Sequence, residues 1–174
     1  MTKTSSTGSM AVIGRTSTAI ALAALVGLSA PSPVLAQYRD EIHNDLGKCT
    51  RGEGPALLVT LDGIKSSQGN LRIQTYRATA ADWLAKGRWL SRVQVPAKAG
   101  RMTFCLPLPG PGVYGVAARH DVNGSGKTDI STDGGGMSNN PSINIFNLGK
   151  PSYTKVGVEV GSGVKAIHID VRYL

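Results

Sequence analysis

The clearest pattern in the chain lies near its C-terminus. From Lys165 to Tyr173, the residues Ile167, Ile169, Val171 and Tyr173 fall on one side of an extended chain, and His168, Asp170 and Arg172 on the other. A period of two is what a strand with one buried face requires, because successive side chains point to opposite faces. Leu71 to Tyr76 repeats the pattern, and Val113 to Arg119 puts Tyr114, Val116 and Ala118 on one face. Ala56 to Leu61 is instead a short apolar run that stops at Asp62-Gly63. Trp89 to Val95 (closed by Pro96), Met102 to Leu106 and Lys155 to Val160 bring the set to about seven strands. Turn-forming stretches separate them: Ser66 to Asn70, Pro107 to Gly112 and a long polar loop from Asp121 to Asn147. Ala78 to Gly87 is the one helical piece, with Thr79 as cap, Asp82 in its first turn and Gly87 as its stop. Trp83 and Leu84 are expected to pin it to the sheet edge. Many short strands, one short connecting helix and no β-α-β alternation predict an all-β, antiparallel sandwich, with a small open barrel as the rival architecture.

The first 36 residues do not fit that pattern. Lys3 and Arg15 make the start positive, Ala19 to Ala30 is uncharged and apolar, and Pro31 and Pro33 break it before Val34-Leu35-Ala36. This is the layout of a secretory signal cut ahead of Gln37. The apolar run of 12 residues is well short of the ~20 that a membrane-spanning helix needs. Met1 and Met10 are both candidate start sites, since Met10 to Ala36 alone has the same layout. The expected organisation is a signal at 1–36, a polar extension at 37–56 and a β-sandwich domain at 57–174. The expected location is periplasmic or secreted, with no transmembrane segment in the mature chain.

Removing the leader changes the charge. The whole chain has 19 Lys+Arg and 11 Asp+Glu; the leader holds two bases and no acid, so 17 bases and 11 acids remain, a net of +6. Arg72, Arg77, Lys86, Arg88, Arg92, Lys98 and Arg101 lie close together in sequence, and such a surface suits an envelope face or an acidic polymer. Nucleic acid is not expected, because few aromatics are interleaved with the bases to stack on. Two cysteines, Cys49 and Cys105, remain in an oxidising compartment, where an even pair favours a bridge. That bridge ties the segment after the leader onto the sandwich.

Candidate chemistry concentrates in the polar loop. Asp121, Asn123, Ser125 and Asp129 place oxygens at alternate positions, Gly126 stands sixth from the first Asp, and Lys127 offers its carbonyl. Calcium takes six to eight oxygens and is held by loops of this kind. Against it, the twelfth position is Thr132 rather than the bidentate Glu of an EF-hand. Local Asx turns with glycines at positive φ account for the same residues. A serine hydrolase built on Ser138 and His120 is the alternative from another class, but Gly136-Met137-Ser138-Asn139-Asn140 lacks the second glycine of a nucleophile elbow. His43, His120 and His168 are too scattered for a zinc site. No catalytic residue is assigned.

Several blocks in order resemble a known family. They are Phe104-Cys105-Leu106-Pro107, Gly112-Val113-Tyr114-Gly115-Val116-Ala117, the stretch from His120 to Asp129, Gly136-Met137-Ser138-Asn139-Asn140 and Gly149-Lys150-Pro151-Ser152-Tyr153. Together they are similar to the DUF2141 domain, whose signature is His-Asp-x-Asn-x-Asn-Gly-Lys-x-Asp. Ser125 stands where that signature has Asn, Met137 where the family usually has Phe, and the loop to Ser138 is shorter. The resemblance implies export and an immunoglobulin- or transthyretin-like sandwich; it implies no activity. The expectation is therefore a non-catalytic exported module that binds Ca2+ or another ligand through the Asp121–Asn140 loop, with an envelope adhesion or scaffold role as a further alternative.

Overall fold

The computed structural model describes residues 1–5, 8, 38–142 and 149–173. The expected leader and its cleavage point fall, apart from residues 1–5 and 8, outside the described residues. The chain divides into two units, Met1–Val34 and Leu35–Leu174, and every element named below lies in the second. Among the described residues no helix is long and apolar enough to cross a membrane.

Two sheets contribute to one core. The larger contains β1 (Asp40–Glu41), β4 (Ser91–Pro96), β3 (Asn70–Arg77), β6 (Gly112–Asp121), β7 (Gly134–Met137) and β10 (Arg172–Tyr173), in that order. The short β8 (Val158–Val160) also pairs with β6, beside its first three residues. The smaller sheet is β5 (Gly100–Pro107), β2 (Ala56–Ile64) and β9 (Val164–Asp170). Leu57, Val59, Leu61, Phe104, Leu106 and Ile169 meet Leu71, Ile73, Tyr114 and Val116 between the sheets, all fully buried or nearly so. Tyr114 adds a tie: its hydroxyl donates to the Gly110 carbonyl at 2.7 Å, a tyrosine-corner arrangement. The result is a sandwich and not a barrel. The pairing is antiparallel except at β1–β4 and β2–β9, which are parallel.

The C-terminal alternation is as expected, but the strand changes sheets. Up to Asp170 it runs beside β2; at Val171, whose N–H donates to the Asp62 carbonyl at 2.8 Å, it bends away, and β10 pairs with β7. The unbroken apolar run of β2 also has a cause. Its outer face, through Ala56 and Leu58, is covered by a small cluster with Cys49, Cys105 and Val164. Cys49 belongs to α1 (Leu46–Thr50), capped by the Asp45 carboxylate accepting from the Gly47 N–H. The Cys49–Cys105 disulfide, with Cα atoms 5.8 Å apart, holds α1 against β5. The bridge expected from the sequence is therefore present, and it ties residues 44–52 to the sandwich.

Three elements differ from expectation. Residues 78–87 form turns, not a helix: Trp83 N–H bonds back to the Thr79 carbonyl for a single turn, and then Leu84 adopts φ +54°. Asp82 is drawn into a buried cluster instead, accepting from Thr79 Oγ1, Arg88 Nε and Tyr38 OH. Burial pushes its carboxyl up, but those hydrogen bonds outweigh burial and hold it below the 3.8 of a free aspartate. Trp83 lies over Gly115 in the middle of the large sheet, not at its edge, with its ring where a Cβ would stand. The second difference is at Lys155, which belongs to the short helix α2 (Tyr153–Val156), so the strand expected from 155 begins only at Val158. Ser152 supplies the cap that the apolar pattern hid. Third, the long polar loop contains β7, an internal strand made of Gly-Gly-Gly-Met.

Candidate functional site

The two residues at the head of the family-like block face opposite sides of β6. His120 points inward and is fully buried. Its Nδ1 lies 2.6 Å from the Tyr173 hydroxyl and its Nε2 2.7 Å from the Gln68 carbonyl. With the proton on Nε2, every group finds a partner: Lys65 N–H donates to Tyr173 Oη, Tyr173 O–H to Nδ1, and Nε2–H to Gln68. The imidazole thus ties the β2–β3 turn and the last strand to β6. Gly69, at φ +67° in that turn, sits so close to the Asp121 carbonyl that any Cβ there would overlap it.

Asp121 opens the candidate cation loop on the outer side. One carboxylate oxygen accepts from the Gly126 N–H at 2.8 Å and lies 3.3 Å from Arg119 Nη2; the other, Oδ1, is buried with no hydrogen-bond partner among the described residues. The remaining residues of the set turn to their own backbone. Asn123 Oδ1 accepts from Ser125 N–H, Ser125 Oγ from Lys127 N–H, and Asp129 Oδ1 from both Ser131 N–H and Ser131 Oγ. Those bonds hold the Asp129 carboxyl below its ordinary range. Asp133, one place beyond the twelfth loop position, accepts from Val122 N–H and Asp129 N–H and closes the loop. Among the described residues, no cluster of three or more His, Cys, Asp or Glu side chains is spaced to hold a metal.

Ser138 is fully buried and already committed, donating to the Val156 carbonyl at 2.6 Å and accepting from the Val116 N–H at 2.9 Å. It lies opposite Val116, four residues along β6 from His120. At about 3.3 Å per residue that is roughly 13 Å, too far for a hydroxyl and an imidazole to share a proton.

The loop does contribute to a different feature, a groove of about 420 Å³ on the outer face of the large sheet. Its floor is Ala117 of β6 with Gly135 and Met137 of β7; Leu84 forms one wall, Thr128, Asp129 and Ile130 another. The strand register explains the space. Gly134 and Gly136 face inward, where Tyr173 and Ile169 occupy the places of their missing side chains. Gly135 faces outward, and a Cβ there would meet nothing closer than 3.9 Å. The same register puts Arg72, Arg119, Gly135 and Arg172 in one cross-strand row. Two arginines directly opposite one another on neighbouring strands repel, so this row carries a cost. Arg119 is partly neutralised by Asp121 and anchored by Thr128 Oγ1 and the Gly126 carbonyl. Among the described residues, Arg72 has only the neutral Gln94, at its Nε. Burial, with Arg119 and Arg92 alongside, pulls its guanidinium below the ordinary value.

No single stretch of sequence announces this groove. Arg72 falls in the basic run noted above, but Arg119, Gly135 and Arg172 become neighbours only through pairing. Other members of that run are engaged elsewhere, Arg88 with Asp82 and Arg92 with Glu41.

No curated protein and no solved structure matches the chain at a significant level. A family model described as an uncharacterized protein conserved in bacteria matches residues 59–168, which run from within β2 into β9 and include the loop, both buried signature residues and every groove-lining residue named here except Arg172. The chain belongs to the DUF2141 family.

Proposed function

We propose that this protein is an exported, non-catalytic β-sandwich module that holds a small ligand in the groove bounded by the Asp121–Asn140 loop. The observation that carries the reading is Gly135, an outward glycine whose missing side chain leaves open space on the floor of the groove. A pocket of this size, with an apolar floor and a few polar groups at its rim, is of the kind that takes small molecules. Non-catalysis is supported by the commitments of Ser138 and His120, and export by the leader-like start.

Thermal-shift measurements on the mature chain and on Gly135→Val test the binding role. Small molecules that raise the wild-type Tm and leave the variant unmoved are the expected result. A panel of organic anions, cations and neutral compounds in which none separates the two proteins would overturn it.

Calcium at the loop is a second reading, favoured by one atom, the buried and unpartnered Asp121 Oδ1. The other oxygens of the set are satisfied by their own turns, so calcium is expected to leave Tm where a chelator leaves it. Were the loop a millimolar-affinity site, ten times that concentration would add about 1.4 kcal/mol. That is a rise of several degrees in a domain of this size, and it would reassign the loop to a cation.

A further inference from the structure

The geometry points to a small organic anion with an apolar body as the ligand of the outer groove, an assignment that rests on the binding role proposed above. The charge distribution decides the class. Arg72, Arg119, Lys150 and Arg172 line the groove, against two carboxylates, Asp129 and Asp133. Those carboxylates already have donors: Asp133 spends its oxygens on the backbone N–H groups of Val122 and Asp129, and Asp129 Oδ1 accepts from Ser131. The cations are less well matched. Lys150 has no ion-pair partner among the described residues, and Arg172 reaches Asp170 only at 4.0 Å. Arg72 has a neutral hydrogen-bond partner and faces Arg119 across the strands.

An anion seated over Gly135 lies between Arg119 and Arg172 in the cross-strand row, with Arg72 one strand further along. There it relieves the repulsion that the row creates and gains charge-assisted hydrogen bonds from planar guanidinium groups. A bare inorganic ion does not use the rest of the site. Ala117, Met137, Leu84 and the exposed Ile130 present apolar surface beside the cations, so the body of the ligand is apolar while its head is charged. Gly135 is what admits it, since any larger residue fills the floor.

Two fluorescent probes separate the parts of this claim. Anilinonaphthalene sulfonate carries an aromatic body and a sulfonate; N-phenylnaphthylamine carries the same body without charge. The folded mature chain is expected to bind the sulfonate on the order of tenfold more tightly than the neutral probe. Raising the ionic strength should shrink that difference. Arg172→Gln and Lys150→Gln, both on exposed side chains, should weaken the sulfonate several-fold and leave the neutral probe within about twofold. Gly135→Val, checked for an unchanged circular-dichroism spectrum and a Tm no lower than the parent's, should abolish both. If the neutral probe binds as well as the sulfonate and both are lost in Gly135→Val, the groove binds ligands but the anionic class is wrong. If neither binds, or if Gly135→Val still binds both, the groove itself is not the site, and the binding role falls with it.

Discussion

Gly136→Val is expected to unfold the domain or cost it at least about 3 kcal/mol, while Gly135→Val, one residue earlier, leaves it folded. The two residues share a strand, a backbone conformation without positive φ, and nearly the same neighbours in sequence. They differ in the side of the sheet they face. A Cβ on Gly136 would stand 2.6 Å from the Asp170 carbonyl oxygen and 2.7 Å from Ile169 Cγ2. The obstacle is backbone, and β7 is paired on both sides, with β6 and β10, so it cannot move away without breaking a ladder. Overpacking of a well-filled core costs about 1–3 kcal/mol where side chains alone must give, and more where backbone must. At Gly135 the nearest atom is 3.9 Å away, and a β-branched residue in a strand gains up to ~1 kcal/mol over glycine. Chemical denaturation of both variants checks the pair. Equal destabilisation would mean that β7 does not present alternate faces as described.

Removing the disulfide is the other large effect. Cys49 and Cys105 are 56 residues apart in sequence, and cross-linking a loop of that length stabilises by about 4 kcal/mol in the chain-entropy model. The Cys49→Ala, Cys105→Ala double variant should lose most of this, on the order of 10–15 °C in Tm for a domain of this size. The loss is structural as well as entropic. Without the bridge, α1 is held to β5 by Asn44, which receives Cys105 N–H and donates to the Thr103 carbonyl, and by packing on Leu58. Hydrogen exchange should therefore show residues 44–52 opening first and the core strands later. A Tm within 2–3 °C of the parent would mean that Asn44 and packing hold α1 unaided.

Strands whose one face is buried could be read from the sequence, because Leu71, Ile73, Tyr114, Val116 and Ile169 all fall where the period of two puts them. What escaped were segments whose stability comes from their neighbours. β7 has three glycines and no intrinsic strand preference, and it exists because β6 and β10 pair with it and Tyr173 and Ile169 fill its inner face. The 78–87 segment has the cap and stop of a helix, but Asp82 gains more from Tyr38, which only folding brings near, and from Arg88, six residues on, which the turns bring within reach. The same reason hid the groove. Arg72, Arg119 and Arg172 are up to 100 positions apart in number and adjacent in space, so their chemistry depends on register, which one sequence does not display. The Asp121–Asp129 loop stood out for the opposite reason. Its hydrogen bonds are local, and local chemistry is what spacing along the chain records.

A titration of isotope-labelled residues 37–174 with anilinonaphthalene sulfonate, followed by amide chemical shifts, tests the ligand site directly. A charged head seated on the arginine row and an aromatic ring laid over the glycine strand should move Ala117, Arg119, Gly135, Met137 and Arg172 in a single saturable set, with Thr60, Arg101 and His168 on the opposite sheet unchanged. Shifts centred on that opposite sheet, or spread evenly over both, would contradict the account.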